Sequence, residues 1–233
     1  MPLVCKIFKL TQPLELYLIA SKLKDFRQVY LEKIEEEEVE LGYRIRDLRH
    51  EDNILSGVFE DSFIIELPYR GMFRKVPVSR DSPFYFVYYM KQLYLVIGAK
   101  KLKANRLANV FSEILYAERG KIIEARITHD VLKALHEAKP DATKVIYFDD
   151  LRVPSLSKLA LYGPGVSNAY LYSEYLKLGK IWYAVFETEE GWVIGVTRNC
   201  VVTCFTKTEE ENFYSFVIDK IIPLAYESEK EVE

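Results

Sequence analysis

The spacing of apolar residues changes near Val39 to one in every two residues, and this change limits the folds that the chain can adopt. Apolar and polar residues alternate from Val39 to Arg46, which is typical of a strand that buries one face. Glu60-Asp61-Ser62 is expected to form a turn, and residues 104–115 repeat apolar residues at helical spacing. Five further strands are predicted in the first half, at 54–59, 63–67, 72–78, 84–90 and 93–97. The pattern predicts an antiparallel meander that ends in a helix.

The second half of the chain repeats this order. A strand at 3–10 precedes a helix that Thr11 is expected to cap, and a strand at 121–127 precedes a helix that Thr128 is expected to cap. Later elements are predicted as strands at 143–149, 156–162, 181–187, 192–197 and 200–205 and as a helix at 209–224. The order of elements therefore predicts an internal repeat.

The expected fold class is α+β, with two similar strand–helix–antiparallel meander–helix units. The units are residues 1–118 and residues 119–233, the second of which ends in an acidic tail. This layout resembles the two-repeat saddle of the TATA-box-binding-protein family, across nearly the whole chain but without any shared motif. The resemblance implies one curved sheet with its helices on one face. No functional residue is carried over, because no equivalent of that family's paired intercalating phenylalanines is found.

Composition excludes several classes of protein. Apolar residues make up 49% and charged residues 29% of the chain, which excludes a disordered chain. No apolar stretch has the 18 or so residues of a membrane helix, so no membrane partner is expected. The first residues are charged too early for a secretory signal, which predicts a reducing, cytoplasmic location. Cys5, Cys200 and Cys204 are expected to be small buried residues, and the low content of Gln and Asn suggests a thermophilic source.

The net charge of −3 is unevenly distributed. Asp81 is the only acid between Arg70 and Arg106, whereas acidic runs lie at 35–38, 187–190, 209–211 and 227–233. The segment contains nine cations, which are Arg70, Arg74, Lys75, Arg80, Lys91, Lys100, Lys101, Lys103 and Arg106. Such a distribution bears on partners rather than on the fold.

Aromatic residues are interleaved with these nine cations. They are Phe73, Phe84, Tyr85, Phe86, Tyr88, Tyr89 and Tyr94. Cations neutralise phosphates and aromatic rings stack on bases, so the segment predicts a non-enzymatic protein that binds DNA or RNA. Lys100, Lys101 and Lys103 are placed at the start of a helix, where a bound phosphate would explain them. Alternatively, the rings form the core and the cations face acidic patches of a second subunit or another protein, as in a homodimer or scaffold.

Two carboxylate pairs leave a third function open, a metal-dependent hydrolase. Glu60-Asp61, with Glu66 and Lys75, or Asp149-Asp150 could hold a magnesium ion. Adjacent carboxylates on a strand point to opposite faces, however, so neither pair forms a site unaided.

Other candidate motifs are weaker. His129 and His136 lie about 10 Å apart along a helix, too far apart for one metal ion, and His50 is isolated. The loop at 163–168, which tyrosines surround, lacks the ending of a phosphate-binding loop. We therefore expect no metal, no cofactor and no catalytic residue, and a binding protein rather than an enzyme.

Overall fold

The computed structural model describes residues 2–34, 36–137 and 140–230, apart from the side chains of His136 and Pro140. The strands are β1 (Leu3–Leu10), β2 (Arg27–Ile34), β3 (Glu37–Glu51), β4 (Ile54–Tyr69), β5 (Met72–Tyr89), β6 (Gln92–Ile97), β7 (Ile122–Glu124), β8 (Thr143–Asp149), β9 (Leu159–Tyr162), β10 (Lys180–Glu187), β11 (Val193–Thr197) and β12 (Val201–Cys204). The helices are α1 (Leu16–Leu23), α2 (Lys101–Tyr116), α3 (His129–Glu137), α4 (Tyr170–Leu178), α5 (Glu210–Phe216) and α6 (Ile222–Lys230), and a π-helical turn, Val217–Ile221, joins the last two. Helices and a large antiparallel sheet confirm the α+β class.

All the described strands belong to one antiparallel sheet. Its order is β2-β3-β4-β5-β6-β1-β12-β11-β10-β8-β9, and β7 pairs with the end of β1. β1 therefore lies between the last strand of the first half, β6, and the last strand of the second half, β12. The sheet runs without interruption across the predicted boundary between the two units.

Helices cover both faces of the sheet at its centre. On β5, Phe86 contacts Phe111 of α2, whereas its neighbour Tyr85 packs against Tyr214 of α5. Neighbouring residues of a strand point to opposite faces, so α2 and α5 lie on opposite sides. One buried cluster contains α1 and α2, and the other contains α3, α5 and α6. The expectation of helices on one face is therefore wrong, because β1 and β6 bury apolar residues on both of their faces.

The first half extends beyond this core as two hairpin arms. Pairing between β3 and β4 ends at Gly42 and Ser62, where the two arms separate. Residues 63–79 form the β4–β5 arm, and the described residues of 30–41 form the β2–β3 arm. Gly42 has a φ of +122°, and a Cβ atom there would lie 2.3 Å from the backbone oxygen of Gln28. Only glycine fits this point of separation.

β4 and β5 are longer than the sequence pattern predicts. Glu60-Asp61-Ser62 lies inside β4 and not in a turn, and β5 unites the two strands predicted at 72–78 and 84–90. The prediction fails because a polar residue, Asp61, stands at a position on the buried face. There Arg106 of α2 pairs with it, so the alternation continues through an ion pair.

The predicted starts of two helices have different outcomes. Thr128 accepts a hydrogen bond from the backbone N–H of Val131, which confirms it as the cap of α3. Thr11 instead donates its hydroxyl proton to the backbone oxygen of Lys121, and α1 begins after Glu15. Of the tyrosines around the loop at 163–168, Tyr162 ends β9, whereas Tyr170, Tyr172 and Tyr175 lie on α4, a helix that the sequence pattern did not predict.

A buried ion pair joins the two halves. The side chain of Lys6, on β1, is fully buried and pairs with Glu124 of β7. Its Nζ atom also donates to Oδ1 of Asn105, on α2, at 2.7 Å. Burial lowers the pKa of Lys6, and the hydrogen bond and charge of Glu124 oppose that shift. The pair therefore fixes β7 and α2 to the central strand.

The three cysteines are free and buried, as predicted. Burial raises the pKa of both Cys5 and Cys200 well above the ordinary value of a thiol. None of the helices in the described ranges combines the length and apolar character that crossing a membrane requires.

Candidate nucleic-acid interface

Three of the nine predicted cations converge at the base of the β4–β5 arm. Arg80 projects from β5, while Lys103 and Arg106 lie three residues apart and therefore on one side of α2. They line a groove of about 560 Å³, which we call the basic groove. The Nζ atom of Lys103 donates to the backbone oxygen of Arg80 at 3.4 Å, so the helix and the strand meet there.

Asp61 is the one carboxylate among the described residues that line the basic groove. It is 4% exposed, and Arg106 donates a hydrogen bond to it. Burial lowers the pKa of Lys103, Arg106 and Arg80 lower it further, and Asp61 opposes the shift. The groove keeps two cations, Lys103 and Arg80, beyond the Arg106–Asp61 pair, so it favours an anion.

Aromatic rings complete the walls of the basic groove. They are Tyr30 from β2, Tyr43 from β3 and Phe63 from β4. Tyr30 is 57% exposed, and the guanidinium of Arg80 lies 5.0 Å from the ring centre of Phe63. The sequence pattern did not place Phe63 beside these cations because it ended a strand before Glu60 and put a turn at Glu60-Asp61-Ser62. An uninterrupted alternation through β4 would have placed Phe63 beside Asp61.

Two further cations lie on the β4–β5 arm. The guanidinium groups of Arg70 and Arg74 lie 5.3 Å and 4.8 Å from the ring centre of Tyr69. Over the described ranges, no carboxylate oxygen lies within 4.0 Å of a side-chain nitrogen of Arg70, Arg74 or Arg80. These arginines are held by rings rather than by acids, so their charges remain open to a ligand.

Lys75 lies beside an acid, on the face of the arm opposite to that of its neighbour Arg74. Its Nζ atom lies 3.8 Å from a carboxylate oxygen of Glu32, on the β2–β3 arm. A second cleft, of about 670 Å³, is lined by Arg74 and Lys75 and also by Glu36 and Glu37. Part of the predicted acidic run at 35–38 therefore faces the predicted cations, although Glu35 lies outside the described residues.

The remaining cations lie apart from the basic groove. Lys91 is in the turn after β5, and the strand carries it about 30 Å from Arg80. Lys100 immediately precedes α2, and the charge of Lys101 acts on the Lys6–Glu124 pair. The nine cations therefore do not share one continuous surface.

Most of the interleaved aromatic residues belong to the core. Phe84, Phe86 and Tyr94 are fully buried. Tyr85, Tyr88 and Tyr89 are half-buried, and Tyr85 and Tyr89 pack against Tyr214 and Tyr226 of the second half. Only Phe73, on the β4–β5 arm, is largely exposed among the seven, at 74%.

The carboxylate pairs do not form metal sites. Glu60 and Asp61 point to opposite faces of β4, and each pairs with an arginine, Arg46 or Arg106. Asp149 and Asp150 both pair with Arg198. No group of three His, Cys, Asp or Glu side chains is placed to hold a metal ion within the described part of the chain.

His129 has a structural role. Its Nδ1 atom accepts a hydrogen bond from the backbone N–H of Ile181, and burial lowers the pKa of its imidazole. The side chain of His136 lies outside the described residues. In the loop at 163–168, Asn168 donates its amide hydrogen to Asp141 at 3.0 Å, so an acid already occupies one side of that loop.

The chain has no match among known protein families or among the curated proteins.

Proposed function

We propose that this protein binds nucleic acid without catalysing a reaction, and that the basic groove holds the phosphate backbone. The convergence of Arg80, Lys103 and Arg106 in one groove carries the proposal. Two of these cations are not offset by the single lining acid, Asp61. A phosphate diester supplies the negative charge that such a groove favours.

The surroundings of the groove support the same ligand. Exposed aromatic surface at Tyr30 lies beside the cations, and aromatic rings hold the bases of nucleic acids by stacking. Arg70 and Arg74 continue the positive charge along the β4–β5 arm.

A binding titration with a matched control tests this function. Fluorescein-labelled single-stranded and double-stranded DNA and RNA are titrated with the wild type, and anisotropy reports binding. Arg80→Glu with Lys103→Glu should weaken binding at least about 10-fold. The control, Lys144→Glu with Lys177→Glu, makes the same charge change where Glu187 and Glu174 already pair with the lysines, and should stay within about twofold. Absence of binding to every probe, or equal losses in both variants, overturns the proposal.

An interaction with a second protein is the other candidate, and an open strand edge favours it. Among the described strands, β2 is the last of the sheet and has β3 as its single neighbour, and Tyr30 and Leu31 on it are exposed. An unpaired edge of this kind accepts another strand, including that of a second copy. Light scattering in low and high salt tests this function, which requires a dimer or complex; a monomer in both excludes the homodimer.

The proposal includes the origin of the fold and the cellular location. Each half begins with a strand followed by a helix and ends with antiparallel strands followed by a helix, which supports a duplicated unit with the boundary near residue 118. Free thiols at Cys5, Cys200 and Cys204 support a reducing, cytoplasmic environment.

A further inference from the structure

One face of the β4–β5 arm carries a repeated pair of side chains. Arg80 lies 5.0 Å from the ring centre of Phe63, and Arg74 lies 4.8 Å from that of Tyr69. The two arginines are six residues apart on β5, which separates them by about 20 Å along the strand. Each pair offers a positive charge and a flat surface at one point.

The register of the hairpin places both pairs on the same face. β4 and β5 pair without a bulge from Ile54–Val87 to Tyr69–Met72, so the alternation is continuous. Arg80 is opposite Asp61, whose partner Arg106 lies on α2. The even-numbered residues of β5, Arg74 included, therefore share the face that looks towards α2. We call Arg80, Phe63, Arg74 and Tyr69 the arginine–aromatic track.

The track begins in the basic groove. Arg80 and Phe63 line the groove, and the strand continues from them to Arg74 and Tyr69 near the turn of the arm. A ligand that occupies the groove and is longer than about 20 Å reaches the second pair. A polynucleotide has this length, together with repeated charge and repeated flat rings.

The nature of the track favours one strand over a duplex. Tyrosine rings and guanidinium planes stack on bases only when those bases are free of their neighbours. In a duplex the base faces are covered, and only phosphates and groove edges remain. The groove, at about 560 Å³, is in the range of pockets that hold one small molecule, which suits a nucleotide unit of a single strand.

Resting on the proposed function, we infer that the ligand is single-stranded nucleic acid, which lies along the arginine–aromatic track from the basic groove to Tyr69. The phosphates contact Lys103, Arg80 and Arg74, and bases stack at Phe63 and Tyr69. The acids near the far end, Glu36 and Glu37, line the cleft beside Arg74 and Lys75 and limit how far the strand extends.

Tyr69 and Phe73 allow a matched test on a single hairpin. Phe73 is on the opposite face of the arm and is more exposed than Tyr69, at 74% against 47%. Tyr69→Ala should weaken binding of a labelled 20-nucleotide oligothymidine about 10-fold, because one stacked base is lost. Tyr69→Phe should retain the wild-type affinity, and Phe73→Ala should change it less than about twofold. Near-ultraviolet circular dichroism and thermal unfolding of each variant show that the fold is unchanged.

A blunt oligothymidine–oligoadenine duplex of the same length separates the two proposals. The wild type should bind the single strand at least about 10-fold more tightly than the duplex, and Tyr69→Ala should leave duplex binding unchanged. Equal affinity for the two probes, or an equal loss from Phe73→Ala and Tyr69→Ala, overturns the single-strand track while the proposed function stands. Absence of binding to these two probes and to every DNA and RNA probe above, or an affinity that Arg80→Glu with Lys103→Glu leaves unchanged, overturns the proposed function itself.

Discussion

The two halves of the chain differ in how far their strands extend beyond the core. In the first half, β3, β4 and β5 have 15, 16 and 18 residues. The end of β4 and the start of β5 extend beyond the part of the sheet that the helices cover. In the second half the longest strand, β10, has 8 residues, and the buried cluster extends along it. Extra strand length in a sheet with a covered centre produces an arm whose outer residues, 66–75, are exposed.

The arginines of the β4–β5 arm also differ from three cations of the second half in the groups that contact them. In the second half Arg198 pairs with Asp149, Lys144 with Glu187 at 2.8 Å and Lys177 with Glu174 at 2.8 Å. On the β4–β5 arm, Arg70 and Arg74 lie on aromatic rings instead. Acids therefore neutralise these three second-half cations, whereas aromatic rings contact the two arginines of the arm.

Removal of the arm should have the largest effect. Residues 64–77 are replaced by Asn-Gly, which joins the cross-strand pair Phe63 and Val78 through a two-residue turn. Affinity for single-stranded DNA should fall about 100-fold, because Arg70, Arg74 and Tyr69 are lost. The melting temperature should stay within a few degrees of the wild type, since no deleted residue belongs to a buried cluster. A variant that does not unfold cooperatively would show that the arm is part of the core.

Glu124→Gln should cost about 2 kcal/mol of unfolding free energy, because the fully buried Lys6 loses its carboxylate. This value is below the about 3–5 kcal/mol lost when a fully buried pair is broken, since Glu124 is one-third exposed. Urea denaturation measures the loss. Glu113→Gln, which removes an exposed partner of Arg119, is the control and should cost less than about 0.5 kcal/mol.

The pH dependence of stability adds a second readout for Glu124. Burial raises the pKa of this carboxyl, but the hydrogen bond and charge of Lys6 outweigh burial, and the pKa lies below its ordinary value of 4.5. The pair therefore stabilises the fold above that ordinary value, and its contribution is lost as the pH falls through the lower pKa of the folded state. Wild type and Glu124→Gln should differ in stability near pH 7 and converge at strongly acidic pH; a constant difference would contradict this.

Arg198→Ala tests whether a paired cation of the second half has only a structural role. The guanidinium contacts Asp149 and lies 3.7 Å from a carboxylate oxygen of Asp150, so its loss should cost about 1 kcal/mol of stability. Affinity for oligothymidine should change less than about twofold. A tenfold loss of affinity with unchanged stability would remove the distinction between the two halves.

The smallest effect is expected at the acidic edge of the second cleft. Glu36→Gln with Glu37→Gln removes two charges that face Arg74 and Lys75, and affinity for oligothymidine should rise about twofold at low salt. The gain should disappear at high salt, where exposed charges are screened. A decrease in affinity would mean that these carboxylates position the arm rather than repel the ligand.

The sequence predicted most of the strands, and the helices α2 and α3, because their hydrophobic periods are clear. It predicted Phe63–Leu67 as a separate strand because Glu60 and Asp61 interrupt the apolar pattern. The ion pair between Asp61 and Arg106, which are 45 residues apart, keeps that strand continuous, and no local pattern contains it. The helices were expected on one face because of the resemblance in layout, whereas adjacent residues of β5 contact α2 and α5 on opposite faces.

The candidate site was predicted only in part. Charge density located Arg80, Lys103 and Arg106 within one segment. The same segment contains Lys91, which lies in the turn at the end of β5 opposite to the arm. Aromatic content predicted rings beside the cations, yet the rings that line the groove come from β2, β3 and β4. Which residues lie close together depends on strand register, and amino-acid composition carries no information about register.

The salt dependence of oligothymidine binding tests the basic groove most directly. Dissociation constants for the wild type and for Arg80→Ala with Lys103→Ala are measured by anisotropy over a series of salt concentrations. Each phosphate contact with a single strand contributes about 0.7 to the slope of log affinity against log salt. The slope should therefore decrease in magnitude by about 1.4 in the variant. An unchanged slope would contradict a phosphate-binding role for Arg80 and Lys103.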